Sequence, residues 1–125
     1  MRTLGQFYRE EILSLPAEDL VLVQLPLNGG DVRVEQGLFG WTLVVGKTLL
    51  DCRSEEEARY LKVFLDAGLR EVHIPKDDET LREILPRLER IKGKIDQILQ
   101  TYLIGVLDRK VRERVRYEVL AEITR

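Results

Sequence analysis

The chain has 125 residues, of which 44% are apolar and 34% charged, and this suits one globular domain with a core of its own. Its formal net charge of −2 excludes a global basic field of the kind that holds nucleic acid or an anionic membrane surface. The single cysteine, Cys52, excludes an internal disulfide framework, and no apolar run reaches the roughly 20 residues of a membrane span.

The first predicted element is a helix. Thr3 and Gln6 form a capping-box pattern, and the apolar stripe that follows predicts a helix from about Leu4 to Ser14. Pro16 ends it, because the residue before a proline is pushed out of the helical region. Charged residues in this region, Arg9 among them, interrupt the apolar run that a signal peptide needs, so we expect a cytoplasmic protein.

Four strands joined by short turns are predicted next. They are Leu20–Leu25, Asp31–Glu35, Trp41–Val45 and Thr48–Cys52. Asn28-Gly29-Gly30-Asp31 and Gly46-Lys47 have the chemistry of tight hairpin turns, and Gly37 and Gly40 bracket a loop that carries Leu38-Phe39. The pattern predicts an antiparallel meander.

A helix and a fifth strand follow. Ser54-Glu55-Glu56-Glu57 predicts the capped start of a helix that Gly68 ends. Val72 and Ile74 predict a short strand ended by Pro75. Because a strand, a helix and a strand in this order usually form a right-handed crossover, we expect a β-α-β unit with its last strand parallel to its predecessor.

Residues from Asp77 onward are predicted to be helical. Six apolar residues alternate spacings of four and three, as in a heptad seam: Ile84, Leu88, Ile91, Ile95, Ile98 and Tyr102. Pro86 predicts a kink or the first turn of a new helix, Gly105 predicts an end, and Asp108 caps a last helix from Arg109 to about Ile123. The seam fits packing within one chain and a partner interface equally well.

The whole chain is therefore predicted to be one α+β domain spanning residues 1–125. Residues 1–76 hold mainly sheet plus two helices, and residues 77–125 form a helical C-terminal arm. The sheet combines a meander of about four strands with the β-α-β unit, and the helices pack on one face of it. The interspersed, Glu- and Arg-rich charges fit a thermophilic source and an unusually helical mesophilic protein equally.

No catalytic, cofactor or metal site is predicted. His73 is the only histidine, so no pair of imidazoles can hold a metal. Cys52 precedes a capped helix that could activate its thiol, although a buried structural cysteine is the simpler interpretation. Asp51 and Glu71 have only a distant similarity to the paired acids of metal-dependent nucleases. A small enzyme that uses such residues remains an alternative hypothesis.

A narrow basic strip is predicted on the last helix. It consists of Arg109, Arg112 and Arg116, beside an apolar strip of valines. Ion pairs with nearby acids explain these arginines most simply. The alternative is contact with an anion or with a nucleic-acid backbone.

The stretch from Gly40 to Pro75 resembles segments near the C-terminus of adenine-specific DNA methyltransferases and related restriction proteins. In those proteins an acid-rich helix like Ser54-Glu55-Glu56-Glu57-Ala58-Arg59-Tyr60-Leu61 follows a target-recognition strand. The similarity covers under a third of the chain and includes no cofactor or catalytic motif of a methyltransferase. It implies a nucleic-acid-associated role and nothing more specific.

The function that these patterns predict is that of a non-enzymatic interaction or assembly protein. The regular seam of the C-terminal helix is the expected contact with another copy or with a helical partner. The alternative is a nucleic-acid-associated accessory protein, of the DNA modification or defence type, that uses the basic strip.

Overall fold

A computed structural model of the chain describes residues 3–26 and 31–102, with side chains through Gln97. The helical elements are α1 (Leu4–Phe7), which continues as a π-helical turn (Tyr8–Ile12), a 3₁₀ turn (Ala17–Asp19), α2 (Glu55–Asp66) and α3 (Asp78–Tyr102). The strands are β1 (Leu20–Gln24), β2 (Val32–Gly37), β3 (Gly40–Val45), β4 (Thr48–Cys52) and β5 (Glu71–Pro75). The predicted α+β class is confirmed.

The strands form two antiparallel sheets, β2-β3-β4 and β1-β5. The predicted four-stranded meander is therefore wrong about β1, and the parallel β-α-β unit is also wrong, because β5 pairs antiparallel with β1. The crossover rule applies to parallel strands of one sheet, and β4 and β5 belong to different sheets. The consecutive apolar residues of β1 do not mark a strand buried on both faces, because Val21 and Leu22 are exposed.

The first helix begins as predicted and ends earlier. Thr3 Oγ1 accepts a hydrogen bond from the Gln6 N–H at 3.0 Å, and the Gln6 side chain accepts one from the Thr3 N–H at 2.9 Å. The last part widens into a π-helical turn that ends at Ile12 instead of Ser14. Its apolar residues are all buried: Leu4, Phe7, Tyr8 and Ile12.

Two tight turns connect the three-stranded sheet. Gly46-Lys47 joins β3 to β4 as predicted, with Val45 opposite Thr48 and a φ of 60° at Gly46. That positive φ at the first central residue is the one that a type II′ hairpin turn requires. Leu38-Phe39 joins β2 to β3, with Gly37 opposite Gly40.

α2 has the predicted start and stop. Ser54 Oγ accepts from the Glu57 N–H at 3.1 Å. At the other end Gly68 has a φ of 89°, and the Leu69 N–H reaches the Phe64 C=O at 3.1 Å. That pairing is the Schellman motif, which ends a helix at a residue free to adopt positive φ.

α3 is one helix that passes through Pro86 without ending. Pro86 and Arg82 are both exposed, so the Arg82 carbonyl that a proline leaves unbonded faces water. The predicted Gly105 stop and the predicted last helix lie outside the described residues.

The core lies between the two sheets and the helices, and the first half of α3 closes it. α2 and α3 run in the same direction, as three ion pairs show in order along them: Glu56–Arg82, Arg59–Glu89 and Asp66–Lys92. Since α2 ends at Asp66, beside Lys92, the last part of α3 runs past the end of α2. No described helix offers the apolar length that crossing a bilayer requires.

Candidate functional site

Cys52 is a buried thiol at the end of β4. It is 8% exposed, and its Sγ lies 3.5 Å from the Leu50 carbonyl oxygen. Burial raises the pKa of Cys52 to about 11, and the charges of Glu57 and Asp51 add to the effect. The start of α2 favours a thiolate, but here burial and the two acids outweigh it. At neutral pH the thiol is protonated.

His73 is held in β5 by two tyrosines. Its backbone N–H donates to Tyr8 Oη at 2.8 Å, and its C=O accepts from Tyr60 Oη at 2.7 Å. Tyr8 Oη also lies 3.4 Å from His73 Nδ1. Because that oxygen already accepts from the backbone, its own proton is free for Nδ1, and this favours the imidazole tautomer that is protonated on Nε2.

The two tyrosines are structural hydrogen-bonding groups. Phe64 stands between them, with its ring centroid 5.0 Å from each tyrosine ring. Burial raises the pKa of Tyr8, although the hydrogen bond from the His73 backbone opposes it. Burial also raises the pKa of Tyr60, well above its ordinary value. Both hydroxyls therefore stay protonated at neutral pH and hold β5 against the π-helical turn and α2.

The residues that sequence reasoning weighed for catalysis are not brought together. Cys52 and Asp51 lie on β4, whereas His73 and Glu71 lie on β5 in the other sheet. The described hydrogen bonds of His73 are with the two tyrosines. Among residues 3–26 and 31–97, no three His, Cys, Asp or Glu side chains are close enough to hold a metal ion.

A groove of about 190 Å³ runs between α2 and α3 near Gly93. Its charged groups are paired with one another. Arg59 Nε lies 3.0 Å from Glu89 Oε2, and Lys92 Nζ lies 2.7 Å from Asp96 Oδ2. The Arg59–Glu89 pair joins α2 to α3, and the Lys92–Asp96 pair lies within α3. A ligand would have to break these ion pairs to bind in the groove.

The predicted seam begins inside the protein. Ile84 is 4% exposed and Leu88 is fully buried, and both belong to the core. Ile91 and Ile95 are half-buried against the same core. Positions Ile98 and Tyr102 continue the spacing on the α3 backbone, and their side chains lie outside the described residues. An interface on this helix would therefore have to use positions after Leu88.

The predicted anion or nucleic-acid contact falls outside the described residues as well. Arg109, Arg112 and Arg116 all follow Tyr102, where the described chain ends.

The most exposed apolar group of the described chain is the turn between β2 and β3. The exposed fraction is 96% for Leu38 and 102% for Phe39, so no described side chain covers either. Gly40, directly after them, has a φ of 136°, which an L side chain rarely adopts. The hairpin thus presents an aliphatic and an aromatic side chain together at its tip.

A smaller apolar area lies on the outer face of the same sheet. The register places Leu49 beside Val44, and Arg33 stands on the other side of Val44. Leu49 is 67% exposed, while Val44 is buried although it lies outside the core cluster. This face is therefore apolar at its centre and charged at its border.

Comparison of the chain with protein-family models, with curated proteins and with solved structures found no match. The feature that sequence reasoning passed over is the turn. Its only signal was a pair of glycines with two residues between them, which shows a tight turn but not that Leu38-Phe39 stays uncovered.

Proposed function

We propose that this protein is a non-enzymatic interaction protein that binds a protein partner through the turn Leu38-Phe39. The observation that carries the proposal is the complete exposure of both side chains. Two large apolar groups side by side in water are unfavourable, and such groups mark binding surfaces when they stand on a defined scaffold.

The hairpin suits this role because it is held on both sides. β3 is the central strand of its sheet, paired with β2 and β4, and half-buried Trp41 packs against the core directly after the turn. Little conformational entropy is therefore lost at the turn when it binds. Burying a Leu or Phe side chain contributes about 1.5–3 kcal/mol, so the pair could anchor an interface whose partner offers an apolar pocket.

The proposal extends to assembly through the end of α3. The helix continues for ten residues beyond Lys92, which forms the last ion pair with α2 that the structure describes. The seam positions Ile98 and Tyr102 lie on that extension, after Ile95, which still packs against the core. An apolar stripe beyond the supporting helix favours contact with another helix.

Photo-crosslinking from the turn tests the proposal. A photoreactive phenylalanine analogue at position 39 is expected to give discrete protein adducts in cells that express the chain natively. The same analogue at Lys47 is the matched control, because Gly46-Lys47 is the other two-residue turn of the sheet, at the opposite end of β3.

Mass spectrometry of the adducts identifies the partner. Leu38→Ser is expected to reduce the adduct yield from position 39 severalfold, since it removes half of the apolar contact. Equal adducts from positions 39 and 47, or adducts that Leu38→Ser does not change, would contradict the proposed role of the turn.

A further inference from the structure

The backbone hydrogen bonds of His73 show which residues of β1 and β5 bond to each other. The N–H and C=O of His73 bond to Tyr8 and Tyr60, so they point away from β1. Leu22, which stands opposite His73, therefore belongs to a non-hydrogen-bonded pair. In an antiparallel ladder the pairs on either side must then be the hydrogen-bonded ones.

The contacts beyond both strand ends agree with this pattern. The Leu25 N–H donates to the Arg70 C=O at 2.7 Å, and the Lys76 N–H donates to the Asp19 C=O at 2.9 Å. Hydrogen bonds to β5 thus come from the odd-numbered residues from 19 to 25. The backbone groups of Leu20, Leu22 and Gln24 point the other way.

That other edge of β1 has no strand beside it in the described chain, where β1 pairs with β5 alone. The side chains next to it are apolar and accessible, since Leu22 is 46% exposed and Val21 is 38% exposed. The Leu20 N–H already donates to the Ala17 C=O in the preceding 3₁₀ turn. The C=O of Leu20 and the N–H and C=O groups of Leu22 and Gln24 therefore form an open template for an extended strand.

The remaining strand edges carry protection that β1 lacks. The far edge of β5 is closed by the two tyrosine hydroxyls and by Arg53, whose Nη2 donates to the Pro75 C=O at 2.5 Å. The outer strands of the other sheet carry charges, Arg33 and Glu35 on β2 and Asp51 on β4. Charged side chains are a common barrier to strand addition. Leu20–Gln24 contains none.

We propose that β1 pairs antiparallel with β1 of a second copy across a two-fold axis at Leu22. The two β1-β5 sheets then join into one four-stranded sheet. In this register Leu20 stands opposite Gln24 of the second copy, and Leu22 stands opposite itself. The Leu22 pair exchanges two backbone hydrogen bonds, and each Leu20 C=O accepts one from the Gln24 N–H of the other copy. Val21 is covered by Val23 of the second copy.

The sequence around β1 fits a second copy in this orientation. Glu18 and Asp19 precede the strand, while Leu25 and Pro26 follow it. An antiparallel register about Leu22 brings the uncharged end of the second copy's strand towards these acids, which lie in the 3₁₀ turn before β1. A parallel arrangement in register would set like charges against each other, which is unfavourable. A two-fold pairing of one strand with itself needs no other partner.

Charges introduced at residue 22 of the full chain test the proposal. Only a two-fold axis at that residue places residue 22 of one copy opposite residue 22 of the other. Leu22→Lys and Leu22→Glu are each expected to raise the dimer dissociation constant by at least about tenfold, as measured by sedimentation equilibrium. An equimolar mixture of the two variants is expected to restore the dimer, since opposite charges then face each other.

Leu49→Lys is the matched control, because it introduces the same charge at an exposed leucine of the other sheet. It is expected to leave the dimer unchanged. A monomeric wild-type chain at high concentration would overturn the proposal. So would a dimer that both residue-22 variants keep, and so would mixing that fails to restore a dimer that each variant lost.

Amide hydrogen exchange of the wild-type chain gives a readout that needs no variant. Exchange at Leu22 and Gln24 is expected to slow at least tenfold between dilute and concentrated protein, while Val21 and Val23 stay protected in both. Slowing confined to another segment would locate the contact elsewhere. The test does not involve the turn Leu38-Phe39, so its outcome is independent of the proposed binding at that turn. Slowing confined to β1 also separates this contact from assembly through α3.

Discussion

At the scale of single residues, burial decides the chemistry of the groups that could react. Cys52, Tyr8 and Tyr60 all have raised pKa values, and desolvation is the largest cause in each case. The neutral forms are thus favoured by the fold. The sequence favoured a structural Cys52, and its burial and raised pKa agree with that interpretation. The sequence could not show that two tyrosines bond the backbone of His73, because they lie 65 and 13 residues away from it.

Alkylation of Cys52 in the folded chain is expected to be slow. With its pKa raised to about 11, about one thiol in a thousand is ionised at pH 8. An ordinary thiol of pKa about 8.5 is roughly one-quarter ionised, so the same cysteine should react about 200-fold faster in denaturant. Alkylation quenched at successive times and followed by mass spectrometry measures both rates. Cys52→Ser, which has no thiol, is the negative control.

The sign of the pH dependence follows from the same shift. Because the folded-state pKa of Cys52 is raised, its contribution to stability is complete below the unfolded-state pKa. It is lost as the pH rises from there to about 11. The alkylation rate should rise about tenfold per pH unit over that range. Fast reaction at neutral pH without pH dependence would show that the thiol is neither buried nor protonated.

At the scale of elements, local signals were sufficient wherever the causes lie a few residues apart. The Thr3 capping box, the Ser54 cap, the Gly46-Lys47 turn and the Gly68 stop all depend on neighbours within five residues, and all are confirmed. The pairing of β1 with β5 depends on contacts about 50 residues apart. Neither segment has a feature that identifies the other as its partner, so the sequence could not predict this pairing.

Gly93 in α3 provides a prediction at this scale. A Cβ built at Gly93 meets nothing within 4 Å, and the position is in a helix interior. Gly93→Ala is therefore expected to raise the free energy of unfolding by roughly 1 kcal/mol, through better helix propensity. Urea unfolding measures the change.

Gly68→Ala is the matched control, because the same substitution there meets a φ of 89° that alanine adopts only with strain. It is expected to lower the free energy of unfolding. Destabilisation by Gly93→Ala would mean that α2 and α3 pack closely only when position 93 has no side chain.

At the scale of the whole molecule, α3 does two different jobs along its length. Its first half closes the core through Leu81, Ile84, Leu85 and Leu88, and its end extends past α2. The heptad spacing alone could not separate these roles, since one continuous stripe serves both. The sequence left the partner of the stripe open, and the side chains at its end, Ile98 and Tyr102, lie outside the described residues.

Assembly through the extension is tested by Ile98→Asp. The variant is expected to shift the sedimentation profile of a concentrated sample towards the monomer, because a charge in an apolar helix seam is unfavourable. Gln100→Asp, two positions further on the same helix, makes the same change in charge away from the seam and should have no effect. Identical profiles for wild type and Ile98→Asp would remove α3 as an assembly surface.

The long separation between β1 and β5 has a consequence for the order in which the molecule forms during synthesis. β1 leaves the ribosome about 50 residues before its strand partner exists. The meander and α2, which contact each other and lie between, can assemble in that interval. Until β5 arrives, both edges of an uncharged Leu-Val-Leu-Val segment are available, so a nascent chain at this stage is a target for chaperones that hold extended apolar peptides.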